Sequence, residues 1–347
     1  MSDKKRIRDL MTIPGNFLPG IHNSITDVPG VTASHVTIID ESKEVRTGIT
    51  LISPCKGDVF VNPLPAAAVA GNGYGKMTGM AQIEEMGTLE SLVGLTNTMS
   101  VAAVLQGLAE YHMPLLPSEY KSINIVVGET NDSNINDIHG FHVWPSHVGE
   151  AIAALSKNVE EGAVGAGAGT VCFGFKGGIG TSSRVVPGEK SGEERDYTVG
   201  VLVQSNYGGN LSLYGKPVPK PSNNMDDEIK PENGSCMIIV MTDAPLSSRQ
   251  LKRLAKRALI GMTNTGSYMG NGSGDFCLAA SNHEKNRRIR ERKGQECYYL
   301  QDSQLNPFFE ACADATQEAL YNSMTMSETV VRGDRIYPGL RVADANN

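Results

Sequence analysis

The chain has 347 residues, of which 40% are apolar and 20% are charged. These fractions are typical of folded globular proteins and exclude the fibrous and intrinsically disordered classes. The formal net charge is -7, so the chain has no excess of basic residues. Non-specific nucleic-acid binding requires such an excess, and we therefore expect no nucleic-acid partner.

The amino terminus and the cysteine and histidine patterns exclude further classes. The first ten residues are charged and run into no apolar segment, which predicts neither a signal peptide nor a membrane span and favours a cytoplasmic protein. The six cysteines form no Cys-x-x-Cys pair, so we expect reduced thiols. His139 and His142 are three residues apart without a third ligand, and we predict no metal site.

Short apolar strands and amphipathic helices alternate along the first two thirds of the chain. Period-2 and apolar patterns predict strands at residues 36–39, 48–52, 59–61, 66–70, 122–127 and 197–203, the last one half-buried. Apolar residues at helical spacing predict helices over 99–112 and 146–157. Residues 216–233 are rich in proline, asparagine and acidic residues, which predicts an exposed connector.

The character of the chain changes at Ser235. A continuous apolar run at 236–241 predicts a buried strand directly after the polar connector. Ser247 and Gln250 form a capping-box pattern before a helix whose apolar face is Leu251, Leu254, Ala255, Ala258, Leu259 and Met262. The four basic residues at 252, 253, 256 and 257 are interpreted as its solvated face. A last helix is predicted with Asn306 as its cap and Pro307 at its first position.

Two glycine-rich segments raise the alternative of a nucleotide-binding module. Residues 71–78 contain glycines and Lys76, but three residues instead of four separate the glycines, and Met77 follows the lysine. Residues 165–169 match part of a dinucleotide fingerprint without a well-placed acidic residue downstream. For both segments we favour close backbone packing in turns over phosphate binding.

The Gly234-Ser235 pair offers a different chemistry. A serine hydroxyl needs a base beside it, and neither Gly-x-Ser-x-Gly nor Ser-x-x-Lys stands out at a strand-to-helix turn, so the common serine-hydrolase arrangements are not indicated. If the bond before Ser235 were cut, its free α-amine would have a pKa near 8, which suits a general base. Taken alone, however, a Gly-Ser pair after a polar loop is usually a simple turn before a strand.

Several segments in one order distinguish these readings. The sequence strongly resembles the DmpA-type aminopeptidases with D-amidase and D-esterase activity, together with the β-aminopeptidases, from about residue 23 to about residue 323. The matching segments are 23–31 (NSITDVPGV), 46–50 (RTGIT), 95–98 (LTNT), 128–130 (GET), 136–138 (NDI), 175–181 (FKGGIGT), 199–204 (VGVLVQ) with Asn206, Gly234-Ser235 and 272–275 (GSGD).

The resemblance implies roles for individual residues. Ser235 would be the nucleophile, and the chain would cleave itself into residues 1–234 and 235–347, an α and a β chain of one structural domain. Asn206 would stabilise the oxyanion, and the Ser273 and Asp275 pair would orient the nucleophile and its amine. A turn before a strand at 276–280 is the alternative explanation of that pair.

Two pocket residues are implied as well. Glu129 would hold the ammonium group of the substrate, since a carboxylate in a partly dry pocket is a suitable anchor for that charge. Asn131 stands where some relatives have a tyrosine near the scissile carbonyl, and we interpret it as a pocket residue.

The implied fold is a four-layer α-β-β-α sandwich, an α/β (α+β) arrangement similar to amino-terminal-nucleophile hydrolases. The implied enzyme is a serine aminopeptidase that hydrolyses amino-acyl amides and small peptides through an acyl-enzyme without a cofactor, as a tetramer of α/β pairs. L-α, D-α and β-amino-acyl substrates all remain open. The alternatives are an acyltransferase resembling ornithine acetyltransferase, the nucleotide-binding module, and an unprocessed relative with only a structural role.

Overall fold

Alternating side chains along the long strands build two sheets. The computed structural model describes residues 4–221 and 233–341. Its helices are α1 Ile7–Leu10, α2 Met80–Met86, α3 Val101–His112, α4 Ser146–Ala153, α5 Gly188–Ser191, α6 Ser248–Asn264 and α7 Asn306–Thr325. Its strands are β1 Thr32–Asp40, β2 Val45–Ser53, β3 Leu64–Gly73, β4 Thr88–Leu89, β5 Val93–Asn97, β6 Val126–Thr130, β7 Val171–Cys172, β8 Phe175–Lys176, β9 Gly178–Val186, β10 Tyr197–Asn206, β11 Ser212–Leu213, β12 Lys216–Pro217, β13 Asn233–Thr242, β14 Gly272–Ser281, β15 Val330–Arg332 and β16 Arg335–Tyr337.

The larger sheet has six strands in the order β4-β3-β14-β13-β10-β9, and the smaller has four in the order β1-β2-β5-β6. Strands β13 and β14 pair in parallel, which requires the crossover that α6 supplies between them. Strand β10 pairs with β13 antiparallel over eight residue pairs, from Val199 opposite Thr242 to Asn206 opposite Ser235. The two strands that follow Ser235 therefore lie between strands that precede it.

The period-2 alternation of a strand assigns the side chains of β13 to two different cores. Cys236, Ile238 and Val240 pack in one hydrophobic cluster with residues of α6 and α7, whereas Met237, Ile239 and Met241 join a second cluster between the two sheets. A third cluster packs α3 and α4 against the outer face of the smaller sheet. The layer order is helix, sheet, sheet, helix, as the family resemblance implies.

Several predicted elements differ from the structure in extent. Residues 59–61 form a turn instead of a strand because the Asp58 carboxylate accepts hydrogen bonds from the amides of Phe60 and Val61. Only the last two residues of 122–127 belong to β6, and α4 ends at Ala153. The prediction that 197–203 is half-buried is wrong, because sheet and helices cover both faces of β10.

The carboxyl-terminal predictions agree more closely. The Ser247 and Gln250 capping box is present, and the six apolar residues predicted on one face of α6 are all buried. In α7, Leu305 is the cap, so Asn306 is the first helical residue and Pro307 the second. Of the predicted connector, residues 222–232 lie outside the described residues. Within the described ranges no helix is long and apolar enough to cross a membrane.

Candidate active site

Ser235 lies near the start of the central strand β13. Its neighbours in the sheet are Asn206 at the end of β10 and Gly274 near the start of β14. The ends of three strands thus bring together segments that are distant in sequence. Ser235 is only 3% exposed, yet it lines a cavity with a volume of about 570 Å³.

Two N–H groups point at the Ser235 hydroxyl. The backbone amide of Asn131 donates to Ser235 Oγ at 3.3 Å, and Asn206 Nδ2 lies 3.5 Å from the same atom. The Asn206 amide is held at both ends, because its Oδ1 accepts from the Val171 amide at 3.0 Å and its Nδ2 donates to the Asn131 carbonyl at 2.9 Å. Preorganised donors of this kind stabilise an oxyanion where water is excluded.

Asn131 contacts Ser235 through its main chain. It does line the cavity, but its main-chain N–H contacts Ser235, while its side-chain Oδ1 accepts from the amide of Ser133 at 3.0 Å. A main-chain donor is independent of residue type, which explains why this position can hold an asparagine. No sequence pattern signals a contact of this kind.

Ser273 and Asp275 lie on β14 beside the Gly234-Ser235 bond. The strand register places Ser273 opposite Gly234 and Asp275 opposite Cys236. Both side chains are fully buried, and Ser273 Oγ donates to Asp275 Oδ1 at 2.9 Å. The pair lies within the strand instead of in a turn before it, and the short aspartate side chain reaches its serine.

Glu129 lies two residues before Asn131, in the wall of the same cavity. Its side chain is 3% exposed, and its Oε1 accepts from the Lys76 amide at 3.0 Å and from Lys76 Nζ at 3.1 Å. The hydroxyl of Thr98 donates to Oε2. Lys76 itself is 52% exposed, so its stem can move, whereas the carboxylate is fixed.

Several residues of the cavity were not predicted from the sequence. Its lining includes Glu129, Asn131, Asn206, Gly234 and Ser235, and also Gly73, Tyr74, Gly75, Lys76, Thr98, Ser133, Asn134 and Gly272. The glycine-rich run at 71–78 is the signal that could have found part of this set. Its Gly75 packs closely against β14, because a Cβ on Gly75 would lie 3.2 Å from Gly274 Cα.

The backbone around Gly234 is tightly packed. A Cβ added there would lie 2.6 Å from Tyr207 Cα and 2.8 Å from the Asn206 carbonyl oxygen, both of them backbone atoms. Only glycine fits this position without movement of the chain. The next cysteine is no rival nucleophile, because Cys236 is fully buried and burial raises the pKa of its thiol well above the ordinary value.

The glycine-rich segments and potential metal ligands give no second site. Gly165, Ala166 and Gly167 form a buried turn, and a Cβ on Gly167 would lie 2.5 Å from the Ile179 amide nitrogen. Among residues 4–221 and 233–341, no group of three or more histidine, cysteine or acidic side chains is arranged to hold a metal ion.

The fold resembles that of hydrolases with an amino-terminal nucleophile. The structure of an L-aminopeptidase D-Ala-esterase/amidase from Ochrobactrum anthropi, described as a prototype of the serine aminopeptidases and a variant of the Ntn hydrolase fold, matches with a TM-score of 0.88 and 32% identity. The match covers 98% of this chain and 97% of that one. A Burkholderia sp. β-aminopeptidase matches with a TM-score of 0.87 and 35% identity, over 99% and 97% of the two chains.

Sequence comparison gives the family. The model of peptidase family S58 matches residues 23–336, and the chain belongs to this family. The β-peptidyl aminopeptidase BapA of Sphingosinicella microcystinivorans is 38% identical over 353 residues, which cover 94% of this chain and 86% of the relative. The predicted family, fold class and enzyme class are confirmed, and the protein is a hydrolase. The acyltransferase and nucleotide-binding alternatives are not favoured.

Proposed function

We propose that this protein is a self-processing aminopeptidase in which Ser235 first cleaves its own chain and then hydrolyses amino-acyl amides and small peptides. The observation that carries the proposal is the environment of the Ser235 hydroxyl. It lines a cavity, faces two N–H donors, and shares that cavity with the buried carboxylate of Glu129.

The self-cleavage step uses the tight backbone at Gly234. Ser235 Oγ attacks the Gly234 carbonyl carbon, the acyl group moves from nitrogen to oxygen, and water hydrolyses the ester. This step leaves a carboxylate on Gly234 and a free amine on Ser235. Close packing of the Gly234 backbone against Asn206 and Tyr207 supports the step, because it fixes the bond beside its nucleophile.

The new amine then serves as the base. Its ordinary pKa near 8 suits proton transfer at neutral pH, and the Ser273 and Asp275 pair on the neighbouring strand supplies polar partners to orient it. Ser235 Oγ attacks the carbonyl of the substrate's first residue while Asn206 Nδ2 and the Asn131 N–H stabilise the oxyanion. Glu129 holds the substrate ammonium, which limits cleavage to the first residue.

We also propose that the enzyme works in the cytoplasm as a tetramer of α/β pairs. All six cysteines are free, which is typical of a reducing compartment. Large apolar side chains remain exposed in the isolated chain, among them Leu18, Ile21 and Trp144, and they offer surfaces for assembly.

Intact-mass measurement of the purified protein tests the proposal. We expect two chains, the second beginning at Ser235, and an undivided, inactive chain for Ser235→Ala. Ser42→Ala, which changes an exposed serine, serves as the control and is expected to yield two chains. Full hydrolytic activity in a preparation that consists of one undivided chain would contradict the proposal, because the base would then be missing.

A further inference from the structure

The Glu129 site contains a cation that the proposed mechanism does not use. Lys76 Nζ lies 3.1 Å from Glu129 Oε1, inside the cavity that Ser235 lines. Glu129 and Lys76 together carry no net charge. A substrate that brings only an ammonium group would place two cations on one buried carboxylate, and like charges this close repel.

A substrate with both an ammonium group and a carboxylate removes this conflict. Its ammonium pairs with Glu129, its carboxylate pairs with Lys76, and the site stays neutral. The Lys76 stem is half-exposed and mobile enough to follow the carboxylate, while its main-chain amide keeps the second hydrogen bond to Glu129 Oε1 at 3.0 Å. Charge-assisted bonds of this type are stronger than neutral ones.

The spacing of the pair sets where the two groups lie on the substrate. Because the carboxylate and the ammonium of the enzyme are in direct contact, their partners must be neighbours as well, as they are when one carbon carries both. The amide N–H that faces Ser235 Oγ belongs to Asn131, which follows the last residue of β6 and lies two residues after Glu129, a span of about 7 Å in extended chain. The scissile carbonyl therefore stands away from the carbon that bears the charges.

We propose that the favoured substrates carry an amino-terminal β-aspartyl residue, in which one carbon bears the free amine and the free carboxylate and the side-chain carbonyl forms the scissile amide. This residue is a β-amino-acyl group with a carboxylate substituent, which agrees with the β-peptidyl aminopeptidase named among the relatives. The inference rests on the proposed function, since Ser235 must attack that carbonyl.

The reaction balances as an ordinary hydrolysis. Ser235 Oγ forms an ester with the side-chain carbonyl, the amide C–N bond breaks, and the leaving amine takes a proton from the Ser235 ammonium. One water then hydrolyses the ester and releases free aspartate. Such a substrate arises from chemistry that moves a peptide bond of aspartate from the main-chain to the side-chain carboxyl group.

The test compares three chromogenic anilides that differ at one carbon. L-β-aspartyl p-nitroanilide carries the carboxylate, D-β-homoalanyl p-nitroanilide, the (R)-3-aminobutanoyl compound, carries a methyl group in the same spatial position, and β-alanyl p-nitroanilide carries hydrogen. We expect wild-type kcat/KM to favour the β-aspartyl substrate over the methyl analogue by about tenfold or more. Lys76→Met should lower kcat/KM for the β-aspartyl substrate about tenfold, mostly through KM, and raise it for the methyl analogue because the competing cation is gone.

Two controls separate this from general effects. Lys252→Met removes an exposed lysine on α6 that pairs with Glu84, and it should leave the preference as in the wild type. Processing into two chains, read by intact mass, shows whether Lys76→Met is folded, and Lys76→Arg should retain the preference if the variant is processed.

Equal effects of Lys76→Met on the β-aspartyl and methyl substrates would overturn the inference, as would wild-type preference for the methyl analogue. If the enzyme hydrolyses β-alanyl p-nitroanilide but shows no preference for the β-aspartyl substrate, the inference is overturned while the proposed function stands. Failure of the two-chain protein to hydrolyse any of the three overturns the proposed function with it.

Discussion

Gly234→Ala tests whether close backbone packing promotes the proposed self-cleavage. The added methyl carbon would lie 2.6 Å from Tyr207 Cα and 2.8 Å from the Asn206 carbonyl oxygen. Neither neighbour is the end of a flexible side chain, so the start of β13 must move away from β10. Overpacking of this kind costs about 1–3 kcal/mol.

The same movement takes Ser235 Oγ away from its donors. Asn206 Nδ2 is already 3.5 Å from Ser235 Oγ, so an outward shift of a few tenths of an ångström removes the contact. If the cost falls mainly on the cleavage transition state, 1.4 kcal/mol slows the reaction about tenfold. We therefore expect the undivided chain of Gly234→Ala to persist about ten times longer than that of the wild type, or more.

A time course of intact mass after a pulse of synthesis measures the undivided fraction. Gly149→Ala is the matched control, because Gly149 lies on α4 and an added Cβ meets nothing within 4 Å. The control should be processed at the wild-type rate. Wild-type processing of Gly234→Ala, with an unchanged melting temperature, would refute the packing argument.

Two further predictions concern the oxyanion donor and the stability of the fold. Asn206→Ala should lower kcat, expressed per two-chain enzyme, by about 10²–10³ with a smaller effect on KM, and an unchanged kcat would contradict the assigned role. Burial lowers the pKa of His35 to about 4, so the unfolded chain binds a proton below about pH 6.5 that the folded chain does not, and stability falls as pH drops from about 6.5 to about 4. Urea unfolding at about pH 7 and at about pH 4.5 measures how far the free energy of unfolding drops between them. This drop should be about 2 kcal/mol smaller for His35→Asn than for the wild type, and an equal drop in both proteins would exclude the effect.

Sequence patterns correctly predicted the elements that depend on neighbouring residues or on a strong apolar periodicity. The cap and the apolar face of α6 depend on only sixteen consecutive residues, from Ser247 to Met262, and both are present. The strand predicted at 59–61 is wrong because one side chain, Asp58, captures the amides that a strand would use. The burial of both faces of β10 depends on a second sheet, which single-strand alternation does not reveal.

The site divides in the same way. Ser235, Asn206 and Glu129 could be singled out by resemblance, and the structure brings all three into one cavity, although their roles stay predictions. Lys76 and Thr98 were not assigned to the site because their contacts with Glu129 join segments of the chain that only the fold brings together. The contact of the Asn131 N–H with Ser235 could not be predicted, because every residue except proline has a main-chain N–H.

The interleaved strand order of the larger sheet affects how two cleaved pieces would stay associated and refold. Strands β13 and β14 lie between β3 and β10. A break before Ser235 would therefore leave the two pieces joined by backbone hydrogen bonds on both sides, between β10 and β13 and between β14 and β3. Neither piece could complete the sheet alone, and each would expose bare strand edges that invite aggregation. If the chain is processed as proposed, refolding requires an encounter of two molecules and becomes slower on dilution, so the persistence of the two-chain enzyme would depend on the height of its unfolding barrier.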